Sequence, residues 1–158
     1  MVEAAHVATL AAVVGVVVLD PFAPMRSADD WSGWLAGQQR LDRVMSRVAP
    51  PLFVSATAAA AGATLVALGR HQSLLATGRA VATGCVAAAV AVTLLVNEPM
   101  NERLRAWRPG DSPPDDWRAV RQRWDQGHRG RQALLAAAAV ASSWGLRAPL
   151  PRQPLSGR

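Results

Sequence analysis

The fold class expected from this sequence is all-α: an integral membrane antiparallel four-helix bundle with a helical cap formed by loops 1 and 3. Three observations predict it. Apolar residues make up 51% of the 158-residue chain and gather in four blocks, Val7 to Leu19, Val48 to Gly69, Ala80 to Val96 and Ala133 to Leu146. The middle two contain no charged residue and have the length that a bilayer crossing needs. The connections are unequal, with Arg70 to Arg79 short and Asp20 to Arg47 and Asn97 to Arg131 long. In an even-numbered up-and-down bundle the two long connections fall on one side, opposite both termini.

The elements are arranged in order as one domain, 1–146, with spans at about 4–20, 48–69, 80–97 and 131–147. Block one extends back through Ala4 and His6, lacks a basic leader and ends in Asp20-Pro21, so it reads as a mature helix and not a signal peptide. Loop 1 should hold a helix starting near Asp29 or Asp30, whose carboxylates suit a helix N-terminus, with Trp31, Trp34 and Leu35 on one side. The two tryptophans read as interfacial anchors. Ala56, Ala60 and Ala63 to Ala67, facing Ala80, Gly84 and Ala88, supply small-residue faces for close packing of spans two and three. Pro99 should end or kink the third span at Glu98. The tail 147–158, with Pro149, Pro151 and Pro154, reads as a disordered basic end. A soluble alanine-rich four-helix bundle is the competing architecture, because alanine is only weakly hydrophobic.

The basic residues are all arginine, and the net charge is +6. Arginines are interleaved with acids, as in Asp115, Asp116, Arg118, Arg121, Arg123 and Asp125, so the charge points to phospholipid headgroups of a lipid bilayer, and no nucleic acid partner is expected. Arg26, Arg40, Arg43, Arg47 and the arginines of loop 3 outnumber those on the opposite side, which would make the cap cytoplasmic. Cys85, the single cysteine, sits among Gly84, Val86 and Ala87 and reads as a packing residue. No phosphate loop, CxxC pair or serine elbow is present. His6 and His71 belong to the terminal side and His128 to the cap side, so a histidine-rich metal centre is not expected; a mixed site of His128 with Glu98 and Glu102 stays open.

The richest pattern lies in loop 3. Trp117, Arg121, Trp124, His128 and Arg131 recur at steps of four and three, which places them within roughly 80° of one helical face. The helix runs directly into the fourth apolar block, so these groups stand at the mouth of the bundle. Two readings are open: an aromatic and basic belt that anchors the helix at the interface, or the wall of a site for a small lipophilic molecule. Asn97 and Asn101, on one face beside Pro99, fit either helix capping or the same site.

The order Asn97-x-Pro99-x-Asn101, then Trp107, then the stripe from Trp117 to Arg131, followed by an alanine-rich span, resembles the small four-helix membrane proteins of the anthrone oxygenase-like family. That resemblance implies oxygenation of a lipophilic aromatic, an anthrone-type polyketide, with no flavin, haem or metal as cofactor. An anthrone's central methylene is a carbon acid whose enolate reacts directly with O2, so the protein needs a base, oxyanion donors and a flat apolar slot. On this reading His128 is the base, Arg121 and Arg131 stabilise the enolate, Asn97 and Asn101 orient the substrate, and Trp117 and Trp124 are the walls. The expected location is a bacterial plasma membrane. The alternative is a non-catalytic membrane accessory or lipophile-binding protein.

Overall fold

The computed structural model describes residues 1–144, so the expected tail, 147–158, lies outside the described residues. The elements are α1 (Val2–Val17), a 3-10 turn (Ala23–Arg26), α2 (Trp31–Gly69), α3 (Ser73–Val92), a π turn (Thr93–Asn97), α4 (Glu98–Ala106) and α5 (Trp117–Trp144), with no strand among the described residues. Helices α1 and α3 each pack against both α2 and α5, closing a four-helix bundle.

Side-chain bonds show that neighbours run antiparallel. His6 meets Ser142 at one end of the α1–α5 pair, while Gln132 donates to the Val17 carbonyl near the other. Arg79 of α3 donates to the Ala63 carbonyl of α2 at 3.1 Å. The core is built from Leu10, Val13 and Val17 of α1, Phe53 and Ala56 of α2, Ala82, Val86 and Ala89 of α3, and Leu135, Ala138 and Ala141 of α5.

Helix α2 departs most from expectation. Asp30 caps it, its carboxylate accepting from the Gly33 backbone at 2.8 Å, as the sequence suggests. The loop-1 helix does not stop before the second span, however; both form one helix of 39 residues. At 1.5 Å per residue it extends about 58 Å. Pro50 and Pro51 lie inside it and deprive the Ser46 and Arg47 carbonyls of their intrahelical donors. The chain turns back through only three residues, 70–72, with His71 in the left-handed region at φ 56.

Two packing expectations are corrected. Gly84 faces open space, with nothing within 4 Å of a Cβ built there, and Ala80 is exposed. The buried face of α3 is instead Ala76, Ala82, Val86 and Ala89. Alanine and glycine spacing is nearly uniform along this span, so spacing alone does not choose the face. Gly84→Leu should therefore leave the melting temperature in detergent unchanged, whereas Ala82→Leu, inserted into a fully buried contact, should lower it; the reverse order would sink this assignment. Trp31 and Trp34 are not interfacial anchors. They are 8% and 2% exposed and form a cluster with Leu35, Leu104, Trp117, Val120 and Trp124 beneath the cap.

The cap is pinned by polar ties around that cluster. Trp31 donates its indole N–H to the Asp111 carbonyl at 3.1 Å, and Gln39 donates to the carbonyls of Leu104 and Trp107. Arg105 bridges Asp42 of α2 and Glu98 of α4. Helix α2 and the run Ser73–Ala106 are long and apolar enough to cross a membrane by length and composition; the apolar stretch of α1, Ala4–Val17, is shorter.

Candidate functional site

The stripe sits on α5 because Trp117, Val120, Trp124 and Gly127 turn inward at helical spacing. Opposite it, the third span carries the π turn Thr93–Asn97. The extra residue in this turn rotates the helix beyond it and aims Asn97 inward, where it is 1% exposed and donates to the Trp124 carbonyl at 3.0 Å. Gly127 makes room for it: a Cβ there would lie 2.8 Å from Asn97 Oδ1. Pro99 lies just past the π turn inside the unbroken helical run Ser73–Ala106, so the third span does not end at Glu98 as the proline suggests; the irregularity is the π turn itself. Asn101, two residues past Pro99, accepts the Trp124 indole N–H at 2.8 Å.

These groups border a chamber with about 90 Å³ of free volume between α1, α2, the π turn and α5. Five of the seven residues singled out in the sequence line it: Asn97, Asn101, Trp124, His128 and Arg131. Arg121 and Trp117 do not. Arg121 donates to the Ala28 carbonyl at 3.0 Å and lies 5.5 Å over the Trp34 ring, and Trp117 packs against Trp31 and Trp34. Both share the helical face of the others, but they lie farther toward the cap, where α2 covers that face.

Asp20 is the principal residue that sequence reasoning passed over. It terminates α1's overhang in the left-handed region at φ 44, a conformation that aspartate tolerates better than most residues, and its side chain is only 16% exposed. Its carboxylate accepts from Arg26, on the 3-10 turn, and faces His128 Nε2 at 3.1 Å. The available signal was an acid closing an apolar block ahead of Pro21 and Pro24, six residues before an arginine. Gln38 was also missed. It is 2% exposed and falls in the buried stripe Trp31, Trp34, Leu35, Gln38, Leu41, where a lone amide among apolar residues marks a polar group turned inward.

Hydrogen-bond chemistry fixes the state of the imidazole. Arg131 Nη2 stands 3.0 Å from His128 Nδ1, and a guanidinium only donates, so Nδ1 must be the acceptor. Nε2 then carries the proton and donates it to Asp20. His128 stacks on Trp124 with the ring centres 5.2 Å apart, and Arg26 lies 5.0 Å over the same indole. Burial, then Arg131 and Arg26, lower the His128 pKa to about 4, so the ring is neutral at physiological pH. Arg131 also donates to Thr93 on the π turn at 3.3 Å. The outcome is a relay, Arg131 to His128 to Asp20, whose terminal acceptor is a carboxylate.

This depressed pKa has a consequence for stability. The unfolded chain takes up the proton first, so the contribution is complete above about pH 6.5 and is lost as pH falls toward about 4. The loss amounts to at most roughly 3 kcal/mol. Melting temperatures of wild type and His128→Asn across that window should converge at the acid end; parallel curves would show that His128 is not the titrating group.

The Asn97 Oδ1 and Gln38 Oε1 atoms are buried without a protein partner, and both residues line the chamber. A second space, with about 600 Å³ of free volume, adjoins it between α2 and α3 and shares Asp42, Met45, Ala49, Phe53, Asn101 and Arg131 with it. No curated protein and no solved structure matches the chain. A family model described as anthrone oxygenase matches residues 40–141, a range that includes all six residues shared by chamber and groove and all but Asp20 of the relay. Since that match spans well over half of the sequence, the chain belongs to the anthrone oxygenase family.

Proposed function

We propose that this protein is a membrane-embedded oxygenase that converts an anthrone-type polyketide to the anthraquinone with O2 and no cofactor. The observation that carries the reading is the buried Arg131–His128–Asp20 relay opening on a chamber whose wall combines apolar side chains, among them Val17, Leu41, Leu52, Phe53 and Trp124, with the amides of Gln38, Asn97 and Asn101 and the carboxylate of Asp42. At about 90 Å³ the chamber alone is too small for a three-ring system, so the flat apolar ligand lies across its junction with the adjoining groove of about 600 Å³, with the Asp20 carboxylate of the relay at its edge.

In this scheme the base is Asp20 and not His128, whose ring nitrogens are both engaged. The carboxylate removes one proton from the substrate methylene, and the nearby Arg131 guanidinium stabilises the enolate oxygen. The enolate gives one electron to O2, and the resulting radical and superoxide combine to form a C–O bond. The peroxide takes a proton, loses the second methylene hydrogen, and breaks its O–O bond. One oxygen atom remains as the new carbonyl and the other leaves as water, so CH2 and O2 become C=O and H2O. His128 holds the Asp20 carboxylate in place through Nε2–H, and the Asn97 and Gln38 amides accept from hydroxyl groups on the ring system.

Oxygen uptake by purified, metal-free protein in nanodiscs supplied with a simple anthrone tests the reading. Consumption of one O2 per anthraquinone formed, above the spontaneous rate, is expected. Uptake at the spontaneous rate by folded, monodisperse protein would overturn it in favour of a lipophile-binding role.

A further inference from the structure

The relay explains how a substrate reacts but not how it arrives. The cap side is closed by the tryptophan cluster and by the ties from Gln39, Trp31 and Arg105. The groove between α2 and α3, in contrast, is open to the outside and adjoins the chamber, sharing six lining residues with it. We propose that this groove is a lateral portal and seating site for a neutral, lipophilic polycyclic aromatic that enters from the bilayer rather than through the cap. This inference rests on the oxygenase reading for the identity of the ligand, but its geometry is independent of any chemistry.

Four observations support it. The groove is lined on its outer part by Val54, Thr57, Ala58, Ala61, Val90 and Leu94, all within the uncharged blocks of spans two and three. Its lips carry large apolar side chains that the protein leaves uncovered, Val54 at 69% and Leu94 at 61% exposure, which is costly in water and natural against acyl chains. Its inner end carries the polar groups Asp42, Glu98, Asn101 and Arg131, so polarity rises from lip to chamber. Finally, both irregular stretches of the bundle border it. Pro50, which lacks the N–H that would bond the Ser46 carbonyl of α2, and Thr93 with Leu94 of the π turn lie among its lining residues, on opposite helices. Phe53 and Met45 line both spaces and stand at the junction, where a rotamer change would open or shut the passage.

The test uses the full chain in phospholipid nanodiscs with 9,10-anthraquinone as the probe, its binding followed by stopped-flow quenching of tryptophan fluorescence. In a Cys85→Ala background, Ala58→Cys places a thiol on the exposed outer wall, remote from the relay. The on-rate is measured before and after reaction with phenylmaleimide on the same folded sample. Labelling is expected to slow association at least tenfold, and Trp107→Ala, which loosens the cap, is expected to leave it unchanged. An on-rate unaffected by the label, one accelerated by Trp107→Ala, or an absence of quenching in the unlabelled protein would each overturn the portal. Slowed association in a protein that consumes no oxygen would sink the oxygenase reading while the portal stands.

Discussion

Asp20→Asn is expected to reduce oxygen uptake by three orders of magnitude or more, within the range spanned by removal of a positioned proton acceptor. The substitution keeps the size of the side chain and an oxygen that can accept from His128 or Arg26, but removes the negative charge and the capacity to take a proton from the substrate. His128→Ala should cost less, about ten- to a hundredfold, because it removes the group that steadies the carboxylate and leaves the carboxylate itself. The comparison is decisive in either direction. If His128→Ala is the more damaging and Asp20→Asn retains activity, the imidazole must turn away from Arg131 during turnover and act as the base.

The second large effect is expected at Gly37. A Cβ built there would overlap the backbone oxygen of Met25, so the 3-10 turn Ala23–Arg26 rests directly on the α2 backbone. A backbone carbonyl cannot rotate aside as a side chain can. Gly37→Ala should therefore displace the turn, and with it Arg26 and its partner Asp20, costing about 3 kcal/mol of stability. For a chain of this size that corresponds to a melting temperature lower by roughly 10 °C, and oxygen uptake should fall in parallel. Gly15→Ala is the matched control. Nothing lies within 4 Å of its Cβ, and it sits in the interior of α1, so alanine should stabilise slightly if it changes anything. Equal melting temperatures for the two variants would mean that the turn is not seated on Gly37.

What was legible in the sequence was local and periodic. The cap at Asp30 and the inward face of Trp117, Trp124 and His128 each arise from signals within one or two helical turns. The family resemblance drawn from Asn97 to Arg131 was sound because that stretch holds most of the chamber's polar wall. What was not legible depended on distance along the chain. Asp20 meets His128 across more than a hundred residues, and no pattern within loop 1 announces the pairing. Arg121 and Trp117 satisfy the same periodicity as His128 and are separated from it only by height along α5, which periodicity does not encode. The fusion of the loop-1 helix with the second span was obscured by Pro50 and Pro51, which normally mark an end and here are tolerated inside a helix bordering an open groove.

The π turn has one more consequence, which concerns the gene and not the chemistry. A five-residue turn in an otherwise α-helical span is equivalent to one inserted residue. Deleting a single residue from 93–96 would keep the segment as apolar as before, and its helical propensity would if anything improve. Yet every side chain beyond it would rotate by about 100°, carrying Asn97 and Asn101 off the chamber wall together. The span therefore tolerates substitution far better than any change in length, and a reading-frame-preserving loss of one codon there would produce a well-folded helix facing the wrong way.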